Sequence, residues 1–253
     1  MLDPMSERPT DPPVDPTHTD PGPERALLAA VDLGRIGYAD ALGLQRRLVD
    51  ARRRDLVSDL LLLCEHDEVV TQGRRTQVPG RRTEDEVADV LRAGIPVVEV
   101  ERGGAATYHG PGQLVGYPIV KLAPSERDLH GFLRALEEAL IAALGEVAGL
   151  EAGRRPGFTG VWVGERKLAS IGIACRGWVT YHGFALNLTA DLTRFALFRP
   201  CDLEAQVMAS VASLGAPAAR APIATVVHHA LARALGRAPG QLDVEELAAL
   251  TER

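Results

Sequence analysis

The sequence predicts an α+β fold: a mixed, largely antiparallel sheet with helices packed on it. Between residues 159 and 188, short apolar segments follow one another through glycine turns, the pattern of successive hairpins. Segments with apolar residues at helical spacing lie before and after that block instead of alternating with it, which favours α+β over a parallel α/β arrangement. A chain of 253 residues with 46% hydrophobic and 25% charged content has ordinary globular composition and can bury a sizeable core.

In chain order, residues 1–24 hold proline and acidic residues with almost no large apolar ones, and read as a disordered extension without chemistry. The body, 25–253, begins with Leu28, Val31 and Leu33, which lead through Gly34-Arg35-Ile36-Gly37 into an amphipathic helix marked by Tyr38, Ala41, Leu42, Leu44, Gln45 and Leu48. Asp59 to Cys64 is a continuous apolar run that fits a buried strand, and Glu65-His66-Asp67 turns it into Val69-Val70-Thr71. Residues 72–83 read as a loop, Glu84 to Ala93 as a helix stopped by Gly94, and Ile95 to Val100 as a strand. Leu114 to Val120 is a further strand. Ser125-x-x-Asp128 resembles a capping box, and Leu129, Phe132, Leu133, Leu136, Leu140, Ile141, Leu144 and Val147 then keep helical spacing to Gly149. Thr159 to Val163, Lys167 to Cys175 and Trp178 to Leu188 are the hairpin strands, joined at Gly164-Glu165-Arg166 and Arg176-Gly177. Ala205 to Leu214, Ile223 to Leu235 and Val244 to Leu250 read as helices.

Charge and composition narrow the function classes. Residues 1–25 hold six acids against two arginines, so only −2 of the net −6 remains for the body, which argues against a large basic face that reads phosphates. No run reaches the roughly 18 apolar residues of a spanning helix, so a cytoplasmic protein with no membrane or nucleic-acid partner is expected. Three cysteines without a CxxC make thiols, not a disulfide framework. Arg46, Arg47, Arg52, Arg53 and Arg54 form a solvated helix end or, with Arg74, Arg75, Arg81 and Arg82, a landing site for an acidic partner.

Chemistry concentrates in Arg102-Gly103-Gly104-Ala105-Ala106-Thr107-Tyr108-His109-Gly110-Pro111-Gly112-Gln113. Four glycines among polar residues suit a backbone that a ligand must approach closely, and read as a pocket wall. Thr-Tyr-His-Gly recurs at 180–183, so His109 and His182 are either two corners of one cavity or a coincidence. His228-His229 lies within a helix, where adjacent side chains do not converge on a metal. Cys64 and Cys175 lie in apolar strands and read as core thiols. Cys201 follows Pro200 in a constrained loop, where a neighbouring cation or base would raise its thiolate fraction. Only two of the 28 basic residues are lysines, and Lys167, opening an apolar strand, is the candidate partner, a snorkelling surface lysine being the plainer alternative.

Taken together, Arg102-Gly-Gly-x-x-Thr-Tyr-His-Gly-Pro-Gly-Gln, Lys167-x-x-Ser-Ile-Gly, His182-Gly-Phe-Ala-Leu-Asn187 and Pro200-Cys201 resemble, in order and spacing, the lipoyl(octanoyl) transferases of lipoate biosynthesis over about Leu27 to Leu214. The resemblance implies a fold similar to the biotin and lipoate protein ligases in a single catalytic domain, 25–253, with a helical C-terminal segment. It implies an octanoyl-[acyl-carrier-protein]:protein N-octanoyltransferase that uses no cofactor and no ATP, acting as a monomer. Cys201 would form the acyl-thioester and Lys167 would serve as its base. The acyl pocket would be lined by Arg102, Gly103, Gly104, Ala105, Ala106, Thr107, Tyr108 and His109, by Ser170, Ile171 and Gly172, and by Gly183, Phe184 and Ala185. Acyl carrier protein would donate the octanoyl group. Lipoyl domains of 2-oxoacid dehydrogenase complexes and the glycine cleavage H protein would accept it. One departure stands out: Asp202 follows the cysteine where the family usually has glycine, and a carboxylate there opposes thiolate formation. Competing readings are an ATP-dependent lipoate ligase of the same fold, a non-catalytic acyl- or carrier-binding module, and a metal hydrolase using His109, His182 and Cys201.

Overall fold

The structure, a computed structural model, describes residues 26–77, 86–200 and 203–251. The extension expected at 1–24, the start of the helix expected from Glu84, Arg81 and Arg82, and the pair Cys201-Asp202 lie outside the described residues. The elements in order are β1 (Leu27–Arg35), α1 (Tyr38–Arg53), β2 (Asp59–Glu65), β3 (Val69–Gln72), α2 (Ala88–Arg92), β4 (Val97–Glu99), β5 (Ala106–His109), β6 (Gln113–Ile119), α3 (Leu129–Ala148), β7 (Gly153–Arg155), β8 (Phe158–Val163), β9 (Arg166–Arg176), β10 (Val179–Asn187), α4 (Arg220–Ala234), β11 (Ala238–Gln241) and α5 (Val244–Thr251).

Eight strands form one sheet in the order β11-β1-β2-β6-β10-β9-β8-β7, and β4-β3-β5 form a smaller one. In the large sheet β1 runs parallel to both β11 and β2, and the other strand pairs are antiparallel, so the expected α+β class with a mixed, largely antiparallel sheet is what the chain adopts.

The apolar run of β2 is explained by helices on both faces. Leu61 and Leu63 face Leu136, Leu140 and Leu144 of α3 and Ile223, Val227 and Leu231 of α4. Leu60, Leu62 and Cys64 face Ala41, Leu48 and Val49 of α1 and Leu247 of α5. Side chains alternate across a strand, so a strand covered on both sides must be apolar at every position. Each leucine buried this way stabilises the fold by about 1.5–3 kcal/mol relative to exposure. The small sheet has its own core, in which Tyr108 and Ala106 pack with Val70, Val90, Phe195 and Met208.

Two local expectations are corrected. Asp128, not Ser125, caps α3: its carboxylate accepts the His130 N–H at 2.9 Å, while Ser125 sits in the 3-10 turn Pro124–Glu126. Within the glycine-rich stretch, residues 106–109 form a strand that pairs with β3 along its whole length. The helix expected from Ala205 to Leu214 is absent. Short 3-10 turns, Ala205–Val207 and Ala212–Leu214, flank an extended piece in which Ala209 N–H donates to the Lys167 carbonyl and Val211 N–H to the Asn187 carbonyl. Pairing with neighbouring strands overrides the helical propensity of this alanine-containing segment.

Candidate active site

Residues that the sequence singles out separately converge on a site of two adjoining cavities around β5, β9 and β10, which share a wall at Gly103, Gly104, Ile171 and Gly172. Its narrow end is a cavity of ≈ 40 Å³ lined by Arg102, Gly103, Gly104, Thr107, His109, Ser170, Ile171, Gly172, Gly183, Phe184 and Ala185, with Tyr38, Tyr117 and His182. Its wide end, ≈ 290 Å³, is lined by Lys167, Ala105, Arg75, Leu133, Phe158, Thr159 and Ile173, and shares Gly103, Gly104, Ile171 and Gly172 with the narrow end. Two members of the expected pocket wall face elsewhere. Ala106 and Tyr108 point into the small sheet's core, because alternation along β5 sends Thr107 and His109 to the narrow cavity and their neighbours to the opposite face.

The shared wall is a close approach of two backbones. Gly103 N–H donates to the Ile173 carbonyl at 2.9 Å. A side chain at Gly172 would put its Cβ 2.7 Å from the Gly103 carbonyl oxygen, so only glycine lets the loop lie against β9 here. Arg102 holds the loop from inside. Its Nη2 donates to the Thr71 carbonyl and hydroxyl at 2.7 and 2.8 Å, and its Nη1 to the carbonyls of Ala105 and Gly103 at 2.7 and 3.1 Å. The guanidinium thus fixes the backbone that forms the wall.

The narrow end is aromatic and polar, with the Arg102 guanidinium as the charged group in its lining. Tyr38 stacks on His109, with ring centroids 5.7 Å apart, and His66 meets His109 edge-on. Behind them, Tyr117 Oη lies 2.7 Å from His66 Nε2, and His66 Nδ1 lies 2.7 Å from the Ile36 carbonyl oxygen. Burial drives His109 well below the ordinary imidazole range, with the nearby His66 and the Arg102 charge adding to it. Burial likewise pulls His182 down to about 4, again with Arg102 opposing its protonation. Burial pushes the Tyr38 hydroxyl up to about 12. These groups are therefore uncharged at neutral pH. His182 also carries a φ of 55°, rare for a residue with a side chain, and its N–H is held by Gln45 Oε1 at 2.9 Å.

Both histidines of the repeated Thr-Tyr-His-Gly therefore line one cavity. Tyr38, Tyr117 and His66 carried no such signal. They read as helix, strand and turn residues, and only the packing of α1 and β2 against β6 brings them together.

Lys167 is 3% exposed, which removes the snorkelling alternative. Its Nζ lies 5.7 Å from the centroid of the buried Trp162 ring. Its backbone is paired with Met208, and its carbonyl accepts the Ala209 N–H at 2.9 Å. Asn187 reinforces this contact: Nδ2 donates to the Ala209 carbonyl, and Oδ1 accepts from Gln113 Nε2 at 2.8 Å. Cys64 is buried and Cys175 half-buried, and burial raises both thiols, Cys64 to about 12. The arginines at the end of α1 are largely engaged within the chain. Arg46 pairs with Glu101, Arg53 with Asp50, and Arg52 with Asp55 and the buried Asp59. A landing site built from that cluster is correspondingly diminished.

Residues 37–234 match the lipoyl protein ligase A/B catalytic domain. An octanoyltransferase of Solibacter usitatus is 50% identical over 183 residues, covering 72% of this chain and 81% of that protein. The chain belongs to the octanoyltransferase family. As such it is an acyltransferase of protein lipoylation. An octanoyltransferase of Syntrophotalea carbinolica is 44% identical over 78% of the chain and 90% of its own length. Among solved structures, lipoate-protein ligase A bound with ATP superposes with a TM-score of 0.69 at 19% identity, covering 90% of this chain and 93% of that one. The bi-partite lipoate protein ligase of Thermoplasma acidophilum gives 0.66 at 19% identity, covering 90% and 91%. At these identities the superpositions speak for the fold alone. No helix among the described residues of the octanoyltransferase is long and apolar enough to cross a membrane.

Proposed function

We propose that this enzyme moves an octanoyl group from the phosphopantetheine thioester of acyl carrier protein to the lysine of a lipoyl domain, through a thioester on Cys201, within a single catalytic domain spanning 25–253. The observation that supports the reading is the buried Lys167 in the wide cavity, next to a narrow cavity lined by aromatic and polar groups, with Met208 and Ala209, seven and eight residues after Cys201, paired with the Lys167 backbone. A buried amine takes the thiol proton, and the thiolate attacks the acyl carbonyl. The carrier's thiolate leaves and takes a proton. In the second half, the acceptor lysine amine attacks the Cys201 thioester, the Cys201 thiolate departs, the proton given up by the amine passes through Lys167 to that thiolate, and an amide remains. Exchange of one thioester for another is nearly balanced, and amide formation draws the sequence forward, so neither nucleotide nor other cofactor enters.

On this reading the octanoyl chain runs from Lys167 past Gly103, Gly104, Ile171 and Gly172 into the narrow cavity. The acceptors are the lipoyl domains of 2-oxoacid dehydrogenase complexes and the glycine cleavage H protein. The test is intact mass after mixing enzyme with octanoyl-acyl carrier protein in the absence of ATP. One octanoyl adduct on the wild type, absent in Cys201→Ala and discharged by a lipoyl domain, is the expected result. An unmodified wild type that loads free octanoate only with ATP would overturn it. Asp202→Gly is expected to raise the rate of adduct formation or leave it unchanged, since the carboxylate can only oppose the thiolate.

A further inference from the structure

Helix α3 buries leucine, alanine and phenylalanine along its core face, yet Glu137 is as deeply buried as any of them, at 0% exposure. One carboxylate oxygen, Oε2, accepts from Arg134 Nη1 at 2.5 Å and from Arg154 Nε at 2.9 Å. The other, Oε1, turns inward and accepts the backbone N–H of Gly160 at 3.1 Å. Gly160 has a φ of 127°, a conformation that side-chain-bearing residues avoid, and a Cβ placed on it would lie 2.8 Å from Lys167 Cε and 3.5 Å from Nζ. Beside it the pairing of β8 with β9 slips: Val161 is opposite Ala169, but Trp162 is opposite Lys167. Leu168 is the extra residue, and both Leu168 and Ala169 enter the core. Such a bulge re-aims the neighbouring side chain, here Lys167.

We infer that Glu137 is a positioning residue for Lys167: by gripping the Gly160 N–H from α3 it fixes the bulged strand pair that holds the lysine amine beside Trp162 at the wide end of the site. The arginines on its outer oxygen compensate its charge and orient it so that the inner oxygen reaches the strand. The inference rests on the reading of Lys167 as the base for its mechanistic meaning, but its geometric content can be measured separately. The charged residue sharing the cavity with Lys167 among the described residues is Arg75, which belongs to the segment after β3 and not to the clamp.

The sequence supplies a direct probe, because Lys121 and Lys167 are its only lysines. Lysine labelled with ¹³C gives two Cε signals, which Lys121→Arg assigns, and the Trp162 ring current marks that of Lys167. In Glu137→Met the Lys167 signal is expected to move toward that of a solvated lysine while the Lys121 signal stays. Alkylation of Cys201 at neutral pH should slow about tenfold, in the direction of Lys167→Met. Glu137→Gln keeps one oxygen for Gly160 but turns its NH2 toward Arg134 and Arg154, so it should restore the wild-type signal and the rate, across the pH–rate profile, only in part and above the level of Glu137→Met. If Glu137→Met does not fold, the double variant Arg134→Ala/Arg154→Ala, altered at partly exposed positions, should move the same signal in the same direction. An unmoved Lys167 signal in a folded variant of either kind would overturn the inference. A moved signal combined with unchanged alkylation in Lys167→Met would leave the clamp standing and remove the base role instead.

Discussion

The two ends of the site are built on opposite principles. At the narrow end, Tyr38, His66 and His109 pack ring against ring, and burial holds the histidines and tyrosines in their neutral forms beside the Arg102 guanidinium. At the wide end a single lysine is buried against an indole, on a strand pair that departs from regular register. The wall between them is backbone, brought close by glycine at position 172 and laced by Arg102. Under the proposed function this contrast divides the labour: the buried rings would hold a passive chain, and the buried amine would move the proton.

The comparison is broken most severely at the wide end. Lys167→Met should reduce octanoyl transfer by about 10²–10⁴-fold, the usual worth of a positioned base, while leaving the folded state intact. Transfer followed by mass spectrometry, with the melting temperature measured alongside, checks this. A change confined to the narrow end should act on chain length instead. Ala185→Leu fills the narrow cavity, so octanoyl transfer should fall about tenfold while butanoyl transfer changes little, as competition between the two donors would reveal.

The neutral histidines predict a pH dependence of stability. The folded-state values of His182, His109 and His66 lie below the unfolded value of about 6.5, so the unfolded chain binds more protons as the pH falls. Stability is at its full value above about pH 6.5 and falls as the pH drops toward 4, the loss from His182 alone reaching about 2 kcal/mol at pH 5. Urea unfolding at pH 7.5 and pH 5 measures it, and His182→Gln should flatten part of the slope. The smallest effect belongs to Cys64. Its buried thiol, with a value of about 12, should resist alkylation at pH 8, and Cys64→Ala should cost about 1–2 kcal/mol without changing transfer.

Much of this architecture was legible because it rests on local chemistry. The run Leu60 to Cys64 can only be a strand covered on both sides, and the spacing of Leu136, Leu140 and Leu144 can only be satisfied by a helix on a sheet. Gly164 and Gly177 mark the hairpin turns, both with positive φ. What stayed hidden depends on partners far along the chain. β1 shows only scattered apolar positions before Gly34 and gains its identity from parallel pairing with β2 and β11, the latter an edge strand whose Pro239 gives no strand signal. The piece around Met208 and Ala209 is extended because Lys167 and Asn187 supply its hydrogen bonds. Glu137 falls four residues after Leu133 and three before Leu140, on the apolar face of α3, but its charge gives no hint of burial, and only the packing of α3 on β8 makes it a buried acceptor. In the site, the glycine-rich motif announced the wall, whereas Tyr38 and Tyr117 needed the fold to reach it.

If one chain-shaped ligand spans both cavities, the crystal structure of the octanoyl-enzyme trapped without an acceptor domain will show it. The thioester carbonyl on Cys201 is expected beside the Lys167 amine, with the alkyl chain passing Gly172 and ending against Phe184 and His109. An acyl chain lying outside the glycine wall, with the narrow cavity unaltered, would contradict it.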